Sequence, residues 1–182
     1  MRTHPPRVTA AVLAWLAGLL VAVPVAAADL EIQGCNEMLA GEVGVREAVG
    51  NVGEFVEVPI TVHTTGTVQA FVLELQVPSG LLSYVRTDVG NLTSGFVACD
   101  GAYFPSTHTL RIAGFSTAPI PSGASGRLAV AVFQVVAPGS GTFTTGAFAD
   151  DLTGYVSCED VHGSTRIPQV EWGKVKALYR DR

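Results

Sequence analysis

The chain has 182 residues, of which 48% are hydrophobic and 15% charged, and its net charge is −5. That length suits a single domain once a leader is removed. An acidic balance with few cations argues against nucleic acid as a partner, because phosphate neutralisation needs clustered lysine and arginine.

Residues 1–28 read as a secretory signal. Arg2 and Arg7 supply the positive end, residues 8–23 are apolar, and Pro24 breaks the run. Val25-Ala26-Ala27-Ala28 then offers small residues for cleavage after Ala27 or Ala28. The competing reading is an uncleaved anchor, since the run approaches spanning length; the small-residue exit favours cleavage. No cysteine follows closely enough for a lipoprotein, and there is no twin arginine. No later run approaches membrane-spanning length, so the mature chain is not expected to span a membrane. The expected location is outside a bacterial cell or on its surface.

Residues 29–168 are expected to form one domain. They hold five arginines, no lysine and fourteen carboxylates, a net of −9, whereas residues 169–182 hold four basic and two acidic residues, a net of +2. A basic tail on an acidic body reads as a separate unit. Export permits a disulfide. Three cysteines, Cys35, Cys99 and Cys158, leave one thiol over. Cys35 with Cys158 is favoured because the ends of a sandwich often meet; Cys99 with Cys158, or no bridge, are the alternatives.

Short β-rich runs punctuated by turn residues predict an all-β sandwich. Over residues 55–62, Val56, Val58, Ile60 and Val62 alternate with Phe55, Glu57, Pro59 and Thr61, and the aliphatic set must face the core. Over residues 68–76, Phe71, Leu73 and Leu75 face inward, and Ala70, Val72, Glu74 and Gln76 outward. Residues 81–87 form the next strand, followed by a short one at 95–99. Over residues 108–115, Leu110 and Ile112 oppose Arg111, Ala113 and Phe115. Residues 118–123 read as a loop, because Pro119 and Pro121 deny the ladder its donors. Residues 128–137 are the most hydrophobic strand, expected to be central, with Val130 and Val132 in the core. Residues 138–141 read as a hairpin turn into a strand at 142–149, and residues 162–167 as the last strand. In the tail, Trp172, Val175, Leu178 and Tyr179 share one helical face. This stripe is expected either to fold back on the sandwich or to serve as a recognition segment.

Catalytic constellations do not emerge. Gly123-Ala124-Ser125-Gly126 lacks the spacing of a nucleophile elbow. His63, His108 and His162 lie on separate strands or turns, with no zinc-hydrolase pair. Gly139-Ser140-Gly141 leads into strand formers rather than a helix, so it is no phosphate loop. Asp150-Asp151 and Glu159-Asp160 lack a calcium-loop pattern and read as a solvated acidic edge. Asn91-Leu92-Thr93 matches a glycosylation sequon but reads as a turn. No catalytic residue, metal site or cofactor is expected.

Five pieces in order resemble cohesin domains, the modules that bind dockerins. They are Gly53-Glu54-Phe55-Val56-Glu57-Val58-Pro59-Ile60, Ala70-Phe71-Val72-Leu73-Glu74-Leu75, Leu82-Ser83-Tyr84-Val85 with Gly90-Asn91-Leu92, Leu110-Arg111-Ile112-Ala113-Gly114-Phe115-Ser116, and Gly126-Arg127-Leu128-Ala129-Val130-Ala131-Val132-Phe133. The resemblance covers most of residues 41–167. It implies a nine-stranded β-sandwich with jelly-roll topology, related to the carbohydrate-binding modules of cellulases. It also implies a flat partner-binding face with Ala70, Val72, Glu74, Gln76, Arg111, Ala113 and Phe115, and neighbours near Val97 and Thr144. The departures are Gln76-Val77-Pro78 after the third strand of the pattern, and three cysteines. The implied partner is a dockerin-like protein carrying its own calcium, in polysaccharide-degrading or cell-surface assembly. The alternatives are a carbohydrate-binding module, for which Phe115, Tyr103, Phe104 and Tyr155 are the candidate stacking residues, and a structural envelope domain.

Overall fold

The computed structural model describes residues 28–158. The tail residues Trp172, Val175, Leu178 and Tyr179, the signal segment and the strand expected at 162–167 lie outside the described residues.

Among the described residues twelve strand segments follow one another: β1 Leu30–Gln33, β2 Glu42–Val45, β3 Ala48–Gly50, β4 Phe55–His63, β5 Val68–Gln76, β6 Leu82–Val89, β7 Ala98–Phe104, β8 Thr109–Ile120, β9 Ser125–Val135, β10 Gly139–Thr142, β11 Thr144–Asp150 and β12 Val156–Ser157. The sandwich pairs a five-stranded sheet, ordered β12-β2-β4-β9-β6, with a four-stranded one, β11-β5-β8-β7. A small third sheet, β10-β1-β3, completes the fold. Several of the twelve segments are only two to four residues long, which accounts for a count above the nine of the resemblance.

The expected alternation of β4 and β5 sets the core. Val58, Ile60, Val62 and Leu73 are fully buried, as are Leu110 and Ile112 from β8. Full burial of such a side chain is worth about 1.5–3 kcal/mol. Phe133 of β9 closes the layer, its ring 5.5 Å from Phe143 and 5.8 Å from Tyr84. β9 runs between β4 and β6, the inner position its hydrophobicity predicts.

The structure differs from the sequence reading at several points. Val130 and Val132 are buried, but outside the core cluster. The ladder sets Phe133, Ala131 and Ala129 opposite Val56, Val58 and Ile60; Val130 and Val132 therefore occupy the outer face, beside Pro59 and Glu57. Thr61 is buried there rather than exposed. Its hydroxyl lies 3.1 Å from Met38 Sδ and 3.4 Å from Gly44 O.

β8 continues through Pro119 to Ile120, where a loop was expected. Val68 pairs with Ile120 and Ala70 with Phe115, so Pro119 falls in a bulged stretch with no ladder bond to lose. β7 spans Ala98–Phe104 rather than 95–99; Asp100 and Gly101 obscure an alternation that resumes at Tyr103. The stretch at 138–141 is not a hairpin turn, because Gly139–Thr142 forms β10 and pairs in parallel with β1. A Cβ on Gly141 would sit 2.8 Å from the Pro78 ring, so glycine serves close packing at this position. The strands β1 to β3 were not expected, although Leu30-Glu31-Ile32-Gln33 alternates, with both aliphatics fully buried.

The ends are tied. Cys35 and Cys158 form a disulfide with their Cα atoms 6.1 Å apart, within the range such bridges take. Cys99 is free and half-buried, and burial pushes its thiol pKa up.

Candidate docking face

Antiparallel pairing places the seven candidate residues on one surface. The β5–β8 ladder sets Ala70 opposite Phe115, Val72 opposite Ala113 and Glu74 opposite Arg111. Residues directly opposite in a ladder point to the same side, so the inward positions Phe71, Leu73, Leu110 and Ile112 fix the outward ones. Gln76 ends the row, its Nε2 donating to Thr109 Oγ1 at 2.9 Å.

Two residue sets that the strand pattern left out extend the face. On β7, Ala98, Asp100 and Ala102 lie opposite Phe115, Ala113 and Arg111. On β11, Ala147 and Ala149 lie opposite Glu74 and Val72. The signal that could have found them is alternation of alanine with larger residues, which carries little hydropathy contrast. Short side chains leave this surface low, and Phe115, half exposed, stands above it at 51%. Val97 beside it is 62% exposed, its N–H donating to Phe115 O at 3.0 Å. Thr144 is exposed at the β11 end, opposite Gln76.

One ion pair marks the middle. Arg111 Nε donates to Glu74 Oε1 at 2.8 Å, and Arg111 Nη2 donates to the same oxygen. The Arg111 guanidinium also lies over the Phe104 ring, 5.4 Å from its centroid, a cation–π distance. Held from two sides, the guanidinium keeps a defined place on the face. Exposed pairs of this kind add only about 0.2–1 kcal/mol to stability.

The candidate stacking aromatics do not form a row. Phe104 and Phe115 are exposed on this face. Tyr103 points inward and stacks on Tyr84 at 5.6 Å. Tyr155 lies elsewhere, its hydroxyl accepting the Thr65 N–H at 2.9 Å.

The remaining motifs have structural duties. Asp151 Oδ2 accepts the N–H groups of Gln69 and Ala70 at 2.7 and 2.9 Å, and these bonds hold its carboxyl below the usual range. Asn91 Oδ1 accepts the Arg127 N–H at 2.7 Å, and Thr93 Oγ1 donates to Leu128 O at 2.6 Å; both sequon side chains bind β9. His63 Nδ1 is 3.3 Å from Met38 O, and His108 Nδ1 is 3.1 Å from the Tyr103 hydroxyl. Among the described residues, no group of three or more His, Cys, Asp or Glu side chains is placed to hold a metal ion.

Comparison with solved structures gives the architecture a family likeness. A type II cohesin domain from the cellulosome of Acetivibrio cellulolyticus superimposes with a TM-score of 0.50 at 13% identity, over 64% of this chain and 89% of that one. The fold is cohesin-like. A non-cellulosomal cohesin from Archaeoglobus fulgidus also matches, at TM-score 0.41 and 16% identity, over 52% of this chain and 80% of that one. So does a type I cohesin from Clostridium thermocellum, solved in complex with a dockerin, at TM-score 0.44 and 14% identity, over 70% of this chain and 85% of that one. No protein-family model and no curated protein matches the chain. Among the described residues of this cohesin-like domain, no helix is long and apolar enough to cross a membrane.

Proposed function

We propose that this chain is a secreted, non-catalytic, cohesin-like module that docks a dockerin-type protein through the β11-β5-β8-β7 face. The observation that carries the reading is the register of β5 against β8, which gathers Ala70, Val72, Glu74, Arg111, Ala113 and Phe115 on one flat surface. A surface of small apolar residues around a charged pair, with Phe115 standing proud, suits protein contact, where an apolar centre is combined with polar anchoring. In this reading residues 1–28 direct export, residues 29–168 form the binding domain, and residues 169–182 are a separate basic unit. Calcium belongs to the partner, and the setting is polysaccharide-degrading or cell-surface assembly.

A carbohydrate ligand is disfavoured by the placement of Tyr103 and Tyr155 away from the face. Surface plasmon resonance of the purified chain against a dockerin-bearing protein tests the proposal. Saturable binding that Glu74→Arg weakens at least tenfold is the expected result. No binding to dockerins, together with retardation on cellulose or chitin in affinity electrophoresis, would overturn it.

A further inference from the structure

The described residues contain twelve carboxylates but only four arginines, Arg46, Arg86, Arg111 and Arg127. Two of these are neutralised, Arg86 by Asp88 and Arg111 by Glu74. The other two, Arg46 and Arg127, form no ion pair among the described residues, although acids outnumber them heavily. Both line one open pocket of about 480 Å³, together with Pro59, Thr61, Asn91 and Gly126. That volume is in the range of small-ligand sites.

Strand register explains why the two guanidiniums meet. Arg46 follows β2, and its N–H donates to Pro59 O at 2.9 Å, which extends the pairing of Val45 with Ile60. Arg127 lies on β9 opposite Thr61, and its N–H is fixed by Asn91 Oδ1 at 2.7 Å. Pro59 and Thr61 sit on the outer face of β4, so their partners do also. The arginines thus flank β4 from its two neighbouring strands, with backbones roughly 12 Å apart by strand spacing and rise. Side chains of this length can converge on one ligand above Pro59 and Thr61. Guanidinium forks match the paired oxygens of carboxylates and phosphates.

We infer that Arg46 and Arg127 form a second binding site, for a small multivalent oxyanion, on the sheet opposite the docking face. Carboxylate and phosphate share the recognising chemistry, and inorganic phosphate, citrate and digalacturonate serve as separate probes of its source. Isothermal titration calorimetry of the full chain at low salt should give saturable one-to-one binding for at least one of them. Arg46→Ala and Arg127→Ala should each weaken it at least fivefold, and Arg127→Lys should restore only part of the loss, because lysine lacks the planar fork. Arg86→Ala, on the same outer face, should leave it unchanged. Absence of saturable binding for all three probes would overturn the inference, as would binding that survives R46A/R127A or falls equally in R86A. Glu74→Arg should not affect this site, so its failure and failure of the docking face are separable.

Discussion

The two broad faces of the sandwich use the same strand alternation to opposite ends. On the four-stranded sheet, most outward positions are short, and Phe115, with Val97 beside it, remains in water. On the five-stranded sheet, Phe55 at the start of β4 is also in water, at 66%, but outward Val130 and Val132 farther in are only 7% and 2% exposed. The ladders surround them with Glu57, Pro59, Arg86 and Asp88; the Pro59 ring and the stems of the charged residues shield the valines, while the charged ends stay wet. The middle of this face is sealed by its own chain. In the middle of the other, Phe115 has no such cover. Alternation decides which side chains point out; what their cross-strand neighbours are decides whether the resulting surface is finished.

The largest effects should separate the core from these faces. Leu73→Ala or Ile112→Ala, directly beneath the open face, should cost about 2–5 kcal/mol in urea denaturation. Val132→Ala should cost about 1.5 kcal/mol, from roughly 0.8 kcal/mol per methylene. Equal costs would mean that the sealed face acts as a second core and that the contrast has been drawn too sharply.

Reducing the Cys35–Cys158 bridge, or replacing both by serine, should lower stability by about 2–5 kcal/mol, measured as the urea midpoint with and without reductant. Docking-face changes should behave differently. Glu74→Arg and Arg111→Glu should each shift stability by no more than about 1 kcal/mol while weakening partner capture at least tenfold, and the double swap should recover part of it. Loss of stability in step with loss of binding would make the pair a structural element rather than a contact.

The smallest effect is a pH dependence at Asp151. Hydrogen bonds from the Ala70 and Gln69 N–H groups lower its pKa from 3.8. Its contribution is therefore full above the ordinary carboxylate pKa and is lost as pH falls through the lower, folded value. Asp151→Asn should slightly lower the thermal midpoint at pH 7 and converge with the parent at low pH, which flattens the acid limb of the stability profile. A mutant profile parallel to the parent's would assign the acid limb to other carboxylates.

Period-two patterning located β4, β5 and the Leu110–Phe115 part of β8 because each alternates large aliphatics with polar or small residues. The same signal placed Ala70, Val72, Glu74, Arg111, Ala113 and Phe115 outward. It failed where contrast is low or where the chain breaks step. Ala98, Ala102, Ala147 and Ala149 differ too little from their neighbours to mark a face. Apolar residues run unbroken from Leu128 to Phe133, so hydropathy alone cannot tell the inner face of β9 from the outer. Bulges, such as that between Ile60 and Thr61, shift register without any sequence mark. Pro119 read as a strand breaker because the bulge that tolerates it exists only in three dimensions.

The bridge between Cys35 and Cys158 closes a loop with a sequence separation of 123, and that loop contains every strand from β2 to β12. A pull transmitted through the chain on either side of these two cysteines is carried by a covalent bond before it reaches any hydrogen-bonded ladder. Some 400 Å of contour, at about 3.3–3.6 Å per residue, is thereby withheld from extension. While the bridge is oxidised, a load along the chain can strip β1 from its sheet. It cannot pull apart from its ends the stretch between the two cysteines, which holds both large sheets.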